Sequence, residues 1–363
     1  MDKKLLTHSS MTCAKTCLRK FYFRYVRGLV KQRDTTPRRV GTLFHLGVEL
    51  GQPAEHFDYP AWCEEEEDRY KWDCDQALAA AMVEAYLEYW DGDVLEVLAS
   101  EVEFQVPVVN PESGRSSRTF QAAGKIDKVV QVPAGVLESF PDGCVALLEY
   151  KTTSDELDPA GTYWQRLKMD QQISHYMMGA AASSDLPEVQ TVVYDVTRRS
   201  DKKPKGIEVL DEDGLKIVLD DETGERVYNK AAKGKEAKPW QTGGKGMTVQ
   251  KRPETPEEFK ARVKESMLDD PDRYFCRREV PRLETDLNEY AWELWAQQRI
   301  VGTCYNLGAW FRNTSACIFY NSPCDYFELC TQGVDPEEDH APLGFEFKRA
   351  HAELAEREGG DDE

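Results

Sequence analysis

Gly124-Lys-Ile-Asp-Lys-Val-Val130 and Leu147-Leu-Glu-Tyr-Lys-Thr152 are the two stretches whose reading decides the fold. The first closes a strand expected over Phe120 to Val132, marked by the β-branched run Ile126, Val129, Val130 and Val132. The second lies in a strand expected over Cys144 to Thr153. Pro133-Ala-Gly135 and Pro141-Asp-Gly143 between them suit a turn joining an antiparallel pair. Side chains two apart on a strand share a face, so Glu149 and Lys151 point together, and Asp127 can join them. Two carboxylates beside a lysine suit a hard divalent cation, with the ammonium positioning or helping to deprotonate a water. Phosphodiester hydrolysis is the chemistry such a set serves, although a solvated strand carries the same Glu/Lys alternation.

Outward from this pair, helices and strands alternate. Ser9 or Ser10 caps a helix expected through Cys13, Cys17 and Phe21 to Val26, with Gly28 as its stop. A second helix is expected from Val40 to Leu50, placing His45 and Glu49 on one face. A third runs from Trp72 to Trp90, and Glu101 to Val106 alternates as a strand. Gln165 to Ala182 reads as a helix carrying Gln172 and Tyr176, and Val189 to Val196 as a buried strand. Thr255-Pro-Glu-Glu-Phe259 opens a helix with proline in its first turn, and Leu283 to Phe311 supplies a long one. This order predicts an α/β core with a central mixed sheet flanked by helices. Residues 198–252, rich in Lys, Gly and Asp, read as a β-meander insertion with a flexible arm whose Lys230, Lys233, Lys235, Lys238 and Lys245 are available to DNA. The expected organisation is a core of 1–197 and 253–334, the 198–252 insertion, and an acidic tail over 335–363.

The 363 residues allow one elaborated domain or two. A composition 40% hydrophobic, with no long apolar run and no leader, predicts a globular cytoplasmic protein away from membranes. The net charge of −20 speaks against generic nucleic-acid binding, but the charge is uneven. Residues 1–40 hold eleven Lys/Arg against two Asp, whereas 335–363 hold eleven Asp/Glu against three Lys/Arg. A basic N-terminal segment can grip phosphate locally while the remainder limits non-specific sliding.

Ten cysteines without an export signal argue for reduced thiols or metal ligation. Cys317, Cys324 and Cys330 fall close together, and Cys17 is the chosen fourth thiol, with Cys13 its rival. Four cysteines hold zinc or an iron-sulfur cluster, while isolated thiols are commonly small buried hydrophobes.

Taken in order, Ser9…Cys17-Leu-Arg-Lys-Phe-Tyr-Phe23, Gly41-Thr-Leu-Phe-His45…Glu49, Gly124-Lys-Ile-Asp127, Glu149-Tyr-Lys151, Gln172-Ile-Ser-His-Tyr176 and the terminal cysteines resemble RecB-type nucleases of the PD-(D/E)xK superfamily. The resemblance is to the iron-sulfur branch, which includes AddB-type domains and CRISPR-adaptation exonucleases. It spans about residues 9 to 330, excluding 198–252, and implies a restriction-endonuclease-like core.

By position, the resemblance makes His45, Asp127, Glu149 and the Tyr150 carbonyl ligands of Mg2+ or Mn2+. It makes Lys151 the catalytic lysine and Gln172 and Tyr176 the QxxxY pair, with Gln171 a register rival and Glu49 and Glu101 outer groups. Cys17, Cys317, Cys324 and Cys330 then bind a [4Fe-4S] cluster that staples the chain ends. Cys-Leu-Arg stands where Cys-Pro-Arg/Lys is usual, and the first C-terminal gap is long, which keeps zinc as the alternative. The implied activity is that of an exonuclease on DNA ends in recombination, repair or phage replication, and the rival reading is a catalytically silent DNA-binding subunit. Arg19, Lys20, Arg24 and Arg27 are expected to guide DNA, with stacking from Phe21, Tyr22 or Tyr25. No helicase phosphate loop is present, so a helicase, an annealing protein or an integrase would be a separate partner.

Overall fold

A computed structural model describes residues 3–54, 58–229, 236–319, 321–333, 340–351 and 354. The chain opens with β1 (Lys4–Leu6), α1 (His8–Thr16), α2 (Leu18–Phe21), β2 (Leu29–Lys31), α3 (Thr36–Leu50) and α4 (Glu66–Tyr89). Then come β3 (Glu96–Val109), β4 (Ser116–Val132), β5 (Cys144–Thr153), α5 (Thr162–Leu167), α6 (Gln171–Ala181) and β6 (Thr191–Arg198). Short strands β7 (Gly206–Glu208), β8 (Val218–Asp220), β9 (Met247–Val249) and β10 (Lys251–Pro253) precede α7 (Pro256–Asp269) and α8 (Pro271–Tyr274). The chain closes with β11 (Phe275–Glu279), α9 (Glu284–Leu307), β12 (Ile318–Phe319), β13 (Ser322–Pro323), α10 (Phe327–Gln332) and β14 (Phe345–Phe347). Two compact units result: Met1–Arg38, Trp90–Arg198 and Asp272–Glu363 form one, Arg39–Tyr89 and Arg199–Pro271 the other.

The first unit is built on a mixed six-stranded sheet ordered β1-β4-β5-β6-β11, with β3 also paired to β4. The β4–β5 pair is antiparallel, as the turn-rich connection requires, and β5–β6 is parallel. Along one edge of β4 runs β3. The other edge is shared by β1 at Phe120 to Ala122 and by β5 at Lys128 to Val132, so residues 123–127 have no strand partner on that side. Into this gap docks α6. His175, fully buried, receives at Nδ1 the Tyr290 hydroxyl at 2.6 Å and donates from Nε2 to the Ala123 carbonyl at 2.9 Å. A carbonyl only accepts, which fixes this neutral tautomer. Burial holds the His175 pKa down at about 4.

Below the sheet Leu6, Phe120, Ile126, Leu147, Tyr194, Ile173 and Val301 meet in one core. Every residue of β6 is buried, which accounts for its run Val192, Val193, Tyr194 and Val196, while the buried Asp195 within it accepts from Arg277 at 2.7 Å. Two glycines are demanded by Phe104. A Cβ at Gly124 would lie 2.7 Å from its ring and 3.1 Å from Tyr176, and one at Gly179 would lie 2.5 Å from the same ring.

Several expected boundaries move for local reasons. Thr7, rather than Ser9 or Ser10, caps α1, through a reciprocal box with Ser10. Cys17 then leaves the helical region at φ −165°, ψ 121°, and after α2 the segment Tyr22–Val26 winds as a π-helix. The helix expected over Gln165 to Ala182 is two, because Asp170 accepts the Gln172 N–H at 3.0 Å and starts α6 afresh. Part of the acidic tail is ordered, as β14 pairs antiparallel with β2.

In the second unit α4 and α7 lie together, bridged by Lys260 to Glu84 at 3.0 Å and Lys264 to Glu88 at 3.1 Å. Thr255 caps α7 through a capping box with Glu258, and proline follows at the first position as expected. The strands of the 198–252 segment are nested: β7 pairs with β10, and β8 with β9. Lys230, Lys233 and Lys235 lie outside the described residues, while Lys238 and Lys245 are exposed.

Candidate active site

The β4–β5 ladder ends at the Lys128–Leu148 pair. One step on, a side chain replaces the next backbone rung. The Tyr150 N–H donates to Asp127 Oδ2 at 2.9 Å. On the far side of β4 the register runs from Ser100–Lys128 to Val102–Ile126, which sets Glu101 opposite Asp127. Glu101 takes φ 52°, a conformation that costs a non-glycine residue about 1–2 kcal/mol, and its carboxylate pairs with Lys125.

Glu149 is only 3% exposed yet holds two donors on one oxygen. Its Oε1 receives Lys151 Nζ and Gln172 Nε2, both at 2.7 Å. Gln172 Oε1 also accepts from Lys151, and Gln172 Nε2 reaches the Tyr176 hydroxyl at 3.0 Å. Five expected residues, Asp127, Glu149, Lys151, Gln172 and Tyr176, therefore gather at this end of the β4–β5 ladder. Gln171 faces away, bonding Glu293 and Lys15, so Gln172 is the glutamine in register.

Burial drives Asp127 up to about 6, adjacent Glu101 adds to the rise, and the Tyr150 N–H and Lys151 oppose it. Burial pulls Lys151 down, but the charge and hydrogen bond of Glu149, with Asp170 and Asp127, outweigh it and hold the ammonium above the ordinary lysine value. Burial first, then Glu149 and Asp127, push Tyr176 well up, so its hydroxyl stays protonated. A half-buried carboxylate raised to about 6 is one that a cation would stabilise. Asp127 and Glu149 are carboxylates of the kind that could hold a hard cation such as Mg2+ or Mn2+. Among the described residues no group of three or more His, Cys, Asp and Glu side chains stands as a metal-binding set.

Asp170 and His8 belong to the surroundings and went unread in the sequence. Asp170 accepts from the Tyr194 hydroxyl at 3.2 Å, and its carbonyl is held by Arg282 at 2.6 Å. His8 Nε2 lies 3.6 Å from Asp170 Oδ1, and burial lowers its pKa to about 4. An aspartate two positions before the helical glutamine is an N-cap signal; for His8 no sequence signal exists.

His45 stands half-buried on α3 in the second unit, its ring edge-on to Phe44 at 6.1 Å, and Glu49 is exposed on the same helix. Arg19, Lys20, Arg24 and Arg27 are half-buried. Arg19 donates to the Trp310 carbonyl at 3.1 Å, and Arg24 lies 5.5 Å over Tyr25. Phe21 is 3% exposed and stacks on Trp310, as does Tyr22, while Tyr25 stacks on His351. Phe21 is thus part of the core, while Tyr22 and Tyr25 are half-buried against these rings.

None of the ten cysteines is in a disulfide. Cys17, Cys317, Cys324 and Cys330 are half-buried in the first unit. Burial, then the neighbouring Cys17, Cys324 and Cys317 thiols, raise the Cys330 pKa, against Arg19. The Asn313 N–H points at Cys17 Sγ over 3.4 Å, and Cys324 N–H donates to the Cys317 carbonyl at 2.8 Å. Phe23, Leu29, Tyr326, Leu329 and Phe345 form a small core beside Cys324 and Cys330. Cys13 packs against the main core instead, and burial raises its thiol to about 11.

A family model described as the PD-(D/E)XK nuclease superfamily matches residues 5–299. No curated protein matches the chain. No helix among the described residues is long and apolar enough to cross a membrane.

Proposed function

Because the chain belongs to the PD-(D/E)XK nuclease superfamily, we propose that it is a metal-dependent deoxyribonuclease working as an exonuclease on DNA ends in recombination, repair or phage replication. The single observation that carries the catalytic reading is the bond set on Glu149 Oε1, which ties Lys151 and Gln172 to a carboxylate two residues from the lysine. A bound Mg2+ or Mn2+ would supply positive charge against a phosphate oxygen. By the resemblance, Asp127, Glu149 and the Tyr150 carbonyl would hold it. Lys151, kept charged and aimed by Gln172 and Glu149, donates a hydrogen bond to the attacking water or to a phosphate oxygen as charge develops. Tyr176 and Gln172 fix the direction of that ammonium.

The preference for ends and the partners, a helicase, an annealing protein or an integrase, rest on the RecB-type resemblance. Comparing an end-labelled linear strand with a closed circle tests the preference. Release of short labelled products from the linear strand alone supports it, and cutting of the circle contradicts it.

The same reading gives Cys17, Cys317, Cys324 and Cys330 a structural [4Fe-4S] cluster. The support is that Cys17, Cys324 and Cys317 lie near enough to Cys330 to raise its pKa, which brings together thiols roughly 300 residues apart in sequence, a separation whose closure restricts the unfolded chain. An N–H aimed at Cys17 Sγ is the kind of contact that tunes cluster sulfur. Iron and acid-labile sulfide in anaerobically purified protein, lost in Cys324→Ser, are expected. Zinc in their place would contradict the cluster.

A further inference from the structure

The half-buried, ring-packed arginines of the N-terminal segment raise the question of where a strand would lie. The first unit has another cationic surface. A groove of about 600 Å3 runs between the start of β4 and α9, lined by Arg115, Arg118, Arg299, Trp295 and Tyr305, with no acidic residue in its lining. All three arginines are exposed. They have no ion pair or side-chain hydrogen bond among the described residues, in a chain whose net charge is −20. Lys4 adds a fourth cation, its Nζ 4.4 Å over the Tyr305 ring.

The groove is held by packing below it. Ser117 donates to Gln298 at 3.2 Å, and Gly302 lets α9 approach the Phe120 ring, which a Cβ there would meet at 3.3 Å. Trp292, Trp295 and Arg299 follow one another at spacings of three and four, so they share a face of α9. Trp292 is 47% exposed and Trp295 half-exposed. Exposed cations that neutralise no protein charge, next to aromatic faces on a rigid helix, are the two components of a single-strand track.

We propose that this groove binds single-stranded DNA, with Arg115, Arg118 and Arg299 on its phosphates and Trp295 stacking on its bases, and with Trp292, on the same helix face outside the groove lining, extending the stack. The proposal rests on the nuclease reading and assigns where substrate is held away from the cut. Asp127 lies nine steps along β4 from Arg118, which at strand rise is at most about 30 Å. Both lie in the first unit, so the track and the candidate active site share one rigid strand.

The test measures binding of a labelled oligo(dT) strand to the full chain in EDTA, across a salt series, beside cleavage with Mg2+. In R115A/R118A/R299A the slope of log affinity against log salt should fall by about 2, from three lost phosphate contacts, with affinity down about tenfold or more at low salt. R115K/R118K/R299K keeps the charges and should keep the slope, which separates charge loss from misfolding. Trp295→Leu should weaken binding about tenfold with the slope unchanged. A wild-type slope and affinity in the alanine variant, with DNA cleavage intact, would overturn the groove and leave the nuclease reading standing. A wild-type protein that neither binds nor cuts DNA would overturn both.

Discussion

Asp127 Oδ2 takes the Tyr150 N–H at 2.9 Å in the place where the β4–β5 ladder would otherwise form its next backbone rung. The carboxylate thus both ends the pairing and stays half-buried, and that burial, with a smaller push from Glu101, raises its pKa to about 6. An asparagine at this position keeps an acceptor for Tyr150 while losing the buried charge. Asp127→Asn should therefore match or exceed wild-type thermal stability in EDTA, yet show no rise in melting temperature with Mg2+. A marked loss of stability in EDTA would contradict this.

Metal binding should depend on the same proton. A cation needs the ionised carboxylate, and the protonated form gains ground as pH falls through about 6. The Mg2+-induced rise in melting temperature should be full near pH 7.5 and shrink below pH 6, with up to one proton released per cation bound. A rise unchanged down to pH 5 would remove Asp127 from the ligand set.

Fold stability has its own acid limb through His175. Its folded pKa of about 4 lies below the ordinary 6.5, so between those values the unfolded chain binds the proton and the folded one does not. Stability is then complete above pH 6.5 and is lost as pH falls toward 4, by about 3 kcal/mol at most. Urea midpoints between pH 7 and 4.5 should fall more steeply for wild type than for His175→Asn, which is weaker at pH 7 but lacks this proton. Equal slopes would show that His175 titrates normally.

Gly124 is fixed by the ring it faces. A methyl there would press on Phe104 and Tyr176, and overpacking of this kind costs about 1–3 kcal/mol. Gly124→Ala should lower the denaturant midpoint accordingly, and Phe104→Leu in the same chain should recover part of the loss. No recovery would place the strain elsewhere.

The reactive end of the sheet was legible because short-range rules govern it. Period-two spacing joined Glu149 to Lys151, and the helical step of four joined Gln172 to Tyr176. The turn-rich connection gave the antiparallel β4–β5 pair, and Thr255-Pro256 gave the start of α7. Apart from the local cap of α1, what remained hidden depends on contacts far apart in sequence. Thr7 caps α1 where Ser9 or Ser10 looked suitable, because the box with Ser10 satisfies both backbone N–H groups. The strained Glu101 opposite Asp127 follows from a β3–β4 register that no local pattern reveals. The stacking of Tyr22 on Trp310 and of Tyr25 on His351 joins rings remote in sequence. Likewise, Arg115, Arg118 and Arg299 become a cluster only once the start of β4 lies against α9.

The measurement closest to the central claim is Mg2+-dependent hydrolysis of end-labelled single- and double-stranded DNA by the full chain and by Lys151→Ala. Lys151 touches Glu149 and Gln172 and would meet the reacting phosphate, so its loss should lower the cleavage rate by about 10²–10³, with EDTA abolishing cleavage by wild type. Wild-type protein that cuts neither substrate, or a Lys151→Ala variant that cuts at the wild-type rate, would contradict the account.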